Sequence, residues 1–291
     1  MNIKALGANI RMATVGALST VFPSYFAALG AQAFLRPRTN NSTRHWESEF
    51  DGFKRSDICV EGQRVPFWIK GTGPMVLLVH GWERDHFAMG GFVGPLLSAG
   101  YTVAALDLPA HGEGSGDSAP LPLLAKSIAE VAGRLNRPCA IVAHSIGAAM
   151  TALAIETYGL KPDCVALVSA PRTAKDYAMA QARRQGLSSD AVRQMTNQIT
   201  EVLGEPLERY RVDRALASLD MPILLVHAKD DAIVPLADAL ENLQSSSARS
   251  LWLPSGGHNR ILGDRHMIDA VLEWINWPLQ DPPAAGAREI A

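Results

Sequence analysis

The chain has 291 residues, of which 47% are hydrophobic and 19% charged, with a formal net charge of −2. That length and apolar content suit a globular chain with a large core, and they exclude a disordered chain and, at this charge, a nucleic-acid binder. Three cysteines, Cys59, Cys139 and Cys164, do not make a disulfide framework; each lies in an apolar strand-like run where a free thiol packs, and no zinc-type spacing of Cys and His occurs.

Residues 12–35 hold no charged residue and are flanked by Arg11, Arg36 and Arg38. The stretch is long enough to span a bilayer, but Pro23 interrupts it and Gly, Ser, Thr and Ala dilute it. Leu18, Phe22, Phe26, Leu29 and Ala33 recur at helical spacing, which reads as a helix laid on a core or resting on a membrane surface. The expectation is a cytoplasmic or membrane-peripheral protein with membrane contact through residues 12–35. An export signal cut near Ala31-Gln32-Ala33 is the alternative. Residues 1–50 are thus an apolar helix and a polar connector.

From residue 51 onward strands and helices alternate. Asp57–Val60 and Arg64–Lys70 read as a hairpin turning at Glu61-Gly62-Gln63. Continuous apolar runs follow at Met75–Val79, Tyr101–Leu106, Cys139–Ala143, Cys164–Val168, Ile223–His227 and Leu251–Leu253, as suits strands buried on both faces. Between them lie helical stretches at Phe92–Ala99, Leu121–Leu135, Ile146–Tyr158, Leu236–Gln244 and Asp264–Trp274. The alternation predicts an α/β chain: a mostly parallel, doubly wound sheet flanked by helices, over residues 51–277. Residues 171–219 interrupt the rhythm with content that reads as two or three helices, a small helical cap inserted above the carboxyl ends of the strands. Residues 278–291, rich in Pro and Ala, are expected to be disordered.

In an open parallel sheet, ligands bind outside the carboxyl ends of the strands, so the residues that end the apolar runs are the ones to inspect. The most informative is Ser145, in A-H-S-I-G at 143–147, between a strand and a small-residue helix. This is the layout of a nucleophile elbow, G-x-S-x-G, with Ala143 in place of the first glycine. The other reading of Ser145 is a helix cap. His80-Gly81-Trp82, Asp230-Asp231 and Gly256-Gly257-His258 end three further runs. A serine hydroxyl becomes a nucleophile only with a base to take its proton, a group to orient that base, and donors for the oxyanion. Candidates for each stand at strand ends.

With H-G-W at 80–82, D-L-P-A-H-G-E-G-S at 107–115, A-H-S-I-G at 143–147, D-A-I-V-P at 231–235 and G-G-H-N at 256–259, the chain resembles the α/β-hydrolase superfamily over roughly Asp57 to Trp277. The resemblance implies the α/β-hydrolase fold and a serine esterase or lipase-like enzyme, with Ser145, Asp231 and His258 as nucleophile, acid and base in the family's chain order. It prefers Asp231 to Asp230, through the family's D-x-x-V-P pattern, and leaves Asp230 to face solvent or cap a helix. It also implies an oxyanion hole from the backbone N–H groups of Trp82 and Ile146. His80, Asp107, His111 and His144 are expected to hold loops or pack, and His86, Phe87 and Met89 to line a substrate pocket. No cofactor and no metal is implied, and the expected partner is a small ester. Thioester, amide or carbon–carbon hydrolysis, perhydrolysis and acyl transfer are open to the same fold, and a non-catalytic ligand-binding protein on a hydrolase scaffold is the rival from another class.

Overall fold

The computed structural model describes residues 3–38 and 44–276, so the tail expected at 278–291 lies outside the described residues. In chain order the elements are α1 (Ile3–Val21), α2 (Pro23–Leu35), β1 (Lys54–Val60), β2 (Gln63–Lys70), β3 (Met75–Val79), α3 (Val93–Ser98), β4 (Thr102–Leu106) and α4 (Leu121–Arg134). They continue with β5 (Ala140–His144), α5 (Ile146–Tyr158), β6 (Cys164–Val168), α6 (Ala174–Arg184), α7 (Ser189–Leu203) and α8 (Val212–Ala217). Last come β7 (Ile223–Ala228), α9 (Leu236–Gln244), β8 (Arg249–Leu253), the single turn α10 (Gly257–Arg260) and α11 (Arg265–Asn276). These elements fall into two compact units, α1 and α2 with α6 and α7 in one and all the others in the second.

The larger unit holds one eight-stranded sheet in the order β1-β2-β4-β3-β5-β6-β7-β8. The hairpin turns at Glu61 and Gly62, both at positive φ, and β2 runs antiparallel to β4; from β4 through β8 every neighbouring pair is parallel. The central strands are uninterrupted apolar runs because both faces are covered, so alternate residues enter different cores. Val76, Leu78, Val142, Ala166 and Val226 join α3 and α11 in one core, and α4, α5 and α9 pack on the sheet's other side. Trp274 on α11 seals the first by donating its indole N–H to the Val165 carbonyl. Cys164 is buried as expected, whereas Cys59 is exposed, because it lies on the edge strand β1.

The chain switches direction across the sheet at β3. From β3 it goes one way to β4, then returns to the other side with β5. Such a switch point opens a crevice outside the carboxyl ends of the two strands that flank it. Here those ends carry His80-Gly81 and His144-Ser145.

The smaller unit is all helical and is assembled from two distant pieces of sequence. α2 lies along α7, with Ala27, Ala31 and Leu35 buried and Gly30 so close that a Cβ there would stand 2.7 Å from the Met195 sulfur. Ser188 donates twice to Ser19, from its N–H to Ser19 Oγ and from its hydroxyl to the Ser19 carbonyl. Of the two readings of the apolar stripe, a helix laid on a core is not what these residues make within their unit. Leu18, Phe22, Leu29 and Ala33 are exposed, because the face that meets α7 is made of small residues that let two backbones approach. Pro23 also divides the expected single helix in two, with Phe22 at a non-helical ψ of 59°. Of the insertion, α6 and α7 belong to this unit and α8 to the sheet unit.

Candidate active site

Ser145 stands between β5 and α5 at φ 54° and ψ −122°, a conformation an L-residue rarely adopts. Its side chain caps no helix N–H, which removes the helix-cap reading. The geometry is held from both sides: the Ser145 N–H donates to the Val168 carbonyl on β6, and α5 approaches so closely that a Cβ on Gly147 would lie 2.2 Å from the His80 carbonyl oxygen. Glycine is therefore required at 147, while at 143 the methyl of Ala143 is accommodated within the core.

The structure brings Ser145, His258 and Asp231 together. Ser145 Oγ lies 2.9 Å from His258 Nε2, and His258 Nδ1 lies 2.7 Å from Asp231 Oδ2. The imidazole reaches the elbow because Gly256 and Gly257, at φ 140° and 57°, bend the chain after β8 into α10. The other carboxylate oxygen, Oδ1, accepts the N–H groups of Ile233 and Val234 at 2.8 and 2.9 Å. Burial pushes the Asp231 pKa up, but the His258 hydrogen bond and these two amides outweigh it and hold the group below the ordinary carboxylate range. Asp230 faces solvent, as expected, and does not cap α9. Its Oδ1 accepts the Gly257 N–H at 2.7 Å, which ties the loop that carries His258 to the end of β7.

His144 does more than pack. Its Nε2–H donates to the His258 carbonyl at 2.8 Å, and its Nδ1 faces Gly81, where a Cβ would stand 2.8 Å from that nitrogen and 3.0 Å from Ser145 Cβ. Complete burial drives its pKa down to about 3, helped by the neighbouring His258, so it is a neutral imidazole that ties the base loop to the elbow. Nothing in the sequence marks this bond, since it joins residues 114 apart.

Glycine at 81 also brings the backbone leading into Trp82 against the elbow. His80 fixes that turn, donating from Nδ1 to the Gly81 carbonyl at 2.7 Å and accepting the Leu108 N–H on Nε2 at 3.0 Å. The Trp82 indole meets His111 edge to face, and His111 in turn bonds the Pro109 carbonyl. Trp82 and Ile146, the two expected oxyanion donors, follow directly on Gly81 and Ser145, and a Cβ on Gly81 would stand 3.0 Å from the Ser145 Cβ.

Two of the three residues expected to line a pocket are enclosed instead. His86 and Met89 are 2% and 0% exposed, and a side chain with no accessible surface presents nothing to a substrate. Met89 lies in the sheet core, with Phe87 packed against it. His86 stacks on Trp68 at 3.6 Å and bonds Asp107 through Nδ1 at 2.9 Å. Asp107 also accepts the His86 and Glu113 backbone N–H groups at 2.7 Å each. This second His–Asp pair joins loops and does not touch Ser145 through any hydrogen bond. Among the described residues no cluster of three or more His, Cys, Asp or Glu could hold a metal ion.

A sequence model of the alpha/beta hydrolase family matches residues 76–274. A pimeloyl-[acyl-carrier protein] methyl ester esterase of Xanthomonas oryzae pv. oryzae (strain MAFF 311018) is 27% identical over 246 residues, covering 70% of this chain and 95% of its own. Among solved structures, an esterase from Exiguobacterium antarcticum aligns with a TM-score of 0.59 at 18% identity, over 76% of this chain and 99% of that one. A membrane phospholipase A aligns with a TM-score of 0.61 at 16% identity, over 97% of this chain and 100% of that one.

Proposed function

This chain belongs to the alpha/beta hydrolase family, and we propose that it hydrolyses carboxylic esters through a covalent acyl-enzyme on Ser145. The observation that carries the reading is the unbroken line from Ser145 Oγ through His258 to Asp231, at 2.9 and 2.7 Å. As Ser145 Oγ attacks the ester carbonyl, His258 Nε2 takes its proton, and Asp231, ionised by its hydrogen bonds, holds the ring and stabilises the imidazolium. The Trp82 and Ile146 N–H groups receive the oxyanion. Collapse breaks the carbonyl carbon's bond to the alcohol oxygen, which leaves with the proton from His258. Water then attacks the acyl-enzyme, giving one proton to His258 as it does so; the carboxylic acid departs and Ser145 recovers the proton.

The Xanthomonas relative is named for a methyl ester, which supports an ester of a small alcohol as substrate. Hydrolysis of aryl and methyl esters of increasing acyl length, beside matched thioesters, tests this. Wild type should turn over the esters with a pre-steady-state burst, and Ser145→Ala should lose about 10⁴-fold or more in kcat. Turnover of thioesters alone would move the substrate class, and equal inactivity of both proteins would leave a binding protein on a hydrolase scaffold.

We also propose that the enzyme works at a membrane surface through residues 12–35. No helix among the described residues is long and apolar enough to cross a membrane, whereas large apolar side chains of α1 and α2 stand exposed. Co-sedimentation with phospholipid vesicles checks the contact, and protein left wholly in the supernatant contradicts it.

A further inference from the structure

Met12, Leu18, Val21, Phe22, Tyr25 and Leu29 are exposed on α1, on α2 and at the junction between them, with Val21, Phe22 and Tyr25 at 67%, 58% and 64%. Tyr25 and Leu29 stand four residues apart on one face of α2, Leu18 lies on the last turn of α1, and Phe22 sits at the break between the two helices. Ala27, Ala31 and Leu35 are the buried residues of α2, which lies along α7, so the bulky stripe is left over from packing within its unit. Isolated exposed apolar residues need no explanation, but a contiguous set of this kind marks an interaction surface.

Charge identifies the partner. Residues 1–37 contain Lys4, Arg11 and Arg36 and no Asp or Glu, a net of +3 in a chain whose total is −2, so the other 254 residues carry five net negative charges. Arg11 and Arg36, both exposed, bracket the stripe, and nothing charged lies between them. An apolar centre with cations only at its ends matches the boundary between acyl chains and anionic headgroups: the apolar side chains enter and the guanidinium groups stay at the phosphates. A second copy of the chain fits poorly, because a self-complementary contact through this face would bring two acid-free, positively charged segments together. We propose that this face docks the enzyme on an anionic phospholipid bilayer. The proposal rests on the membrane-surface reading above, and adds to it the face and the lipid charge.

The test uses the full chain with vesicles of pure phosphatidylcholine and of phosphatidylcholine with about a third phosphatidylglycerol, the fraction being set so that the anionic potential is strong. Expected are at least tenfold tighter binding to the anionic vesicles, loss of that difference at high salt, and at least tenfold weaker anionic binding by Phe22→Ser/Tyr25→Ser/Leu29→Ser. That variant should keep its circular dichroism and its turnover of a soluble ester, since the three side chains are outside the proposed ester site. Equal binding to both vesicles would overturn the anionic assignment and leave a membrane contact standing, and binding to neither would end both. A dimer in light scattering that the triple variant dissolves would make the face a self-interface and overturn the proposal.

Discussion

At the scale of the residue, the two adjacent carboxylates at the end of β7 separate into two jobs. Asp231 gives one oxygen to His258 and the other to two backbone amides, whereas Asp230 gives an oxygen to the Gly257 N–H. Asp231→Asn should lower kcat by about 10³- to 10⁴-fold, because an amide can present an N–H to His258 and favour the wrong tautomer. Asp230→Asn keeps an oxygen that can accept from Gly257 and should stay within a few-fold of wild type. Steady-state kinetics on one aryl ester separates them, and the reverse order would make Asp230 the acid. His144 gives a second test. His144→Phe fills the space but removes the donor to the His258 carbonyl, so kcat should fall by about tenfold or more, the scale of one lost hydrogen bond, with KM little changed. His144→Gln, which restores an N–H, should recover part of the loss; equal defects in both variants would mean that only ring packing matters. Ser145 and His258 were legible as candidates because each follows an apolar run with its own local motif, and Asp231 is set apart from Asp230 only by the family's D-x-x-V-P pattern. The bond from His144 was not legible, because it depends on how the loop after β8 folds back. His86 was misjudged for a related reason: an aromatic cluster after a strand looks the same in sequence whether it faces a crevice or stacks on Trp68.

At the scale of the element, the sheet was legible almost strand by strand, since parallel strands covered on both faces must be apolar throughout. The N-terminal helices were not. Apolar periodicity identifies a helix face but not whether the bulky side or the small side packs, and here Ala27, Gly30 and Ala31 meet α7 while Phe22 and Tyr25 stay outside. Gly30 is thus a spacing residue between α2 and α7. Gly30→Leu should destabilise the helical unit by about 1–3 kcal/mol, the usual cost of overpacking. Gly30→Ala should be close to neutral, since the flexible end of Met195 can shift and alanine regains about 1 kcal/mol of helix propensity. Amide exchange of α2 and α7 reads both, and unchanged protection in Gly30→Leu would contradict close helix–helix contact there.

At the scale of the molecule, burial of neutral histidines sets the response to acid. Burial holds His111 and His144 at about 3, and it lowers His80 and His227 as well. In the unfolded chain a histidine titrates near 6.5, so between about pH 6.5 and 3 the unfolded state binds the extra protons and stability rises with pH. The contribution is complete above pH 6.5 and is lost as pH falls; His111 and His144 alone give a slope of about 2.7 kcal/mol per pH unit below about pH 5.5. Asp107 and Asp231, held below the ordinary carboxylate range, add their losses only nearer pH 4 and under. Urea unfolding from pH 7 to 4.5 should show the midpoint dropping steadily below pH 6, and a flat midpoint down to pH 5 would contradict the neutral burial of these rings.

The claim on which the rest depends is that Ser145 is a nucleophile activated by His258. The most direct measurement is peptide mass spectrometry after reaction with a fluorophosphonate, on wild type, Ser145→Ala and His258→Ala. The account predicts a single phosphonyl adduct on the Ser145 oxygen in wild type, none in Ser145→Ala, and labelling slowed by about 10³-fold or more in His258→Ala, because the base is gone. Absence of any adduct from wild type, or labelling that persists in Ser145→Ala while ester turnover continues, would contradict it.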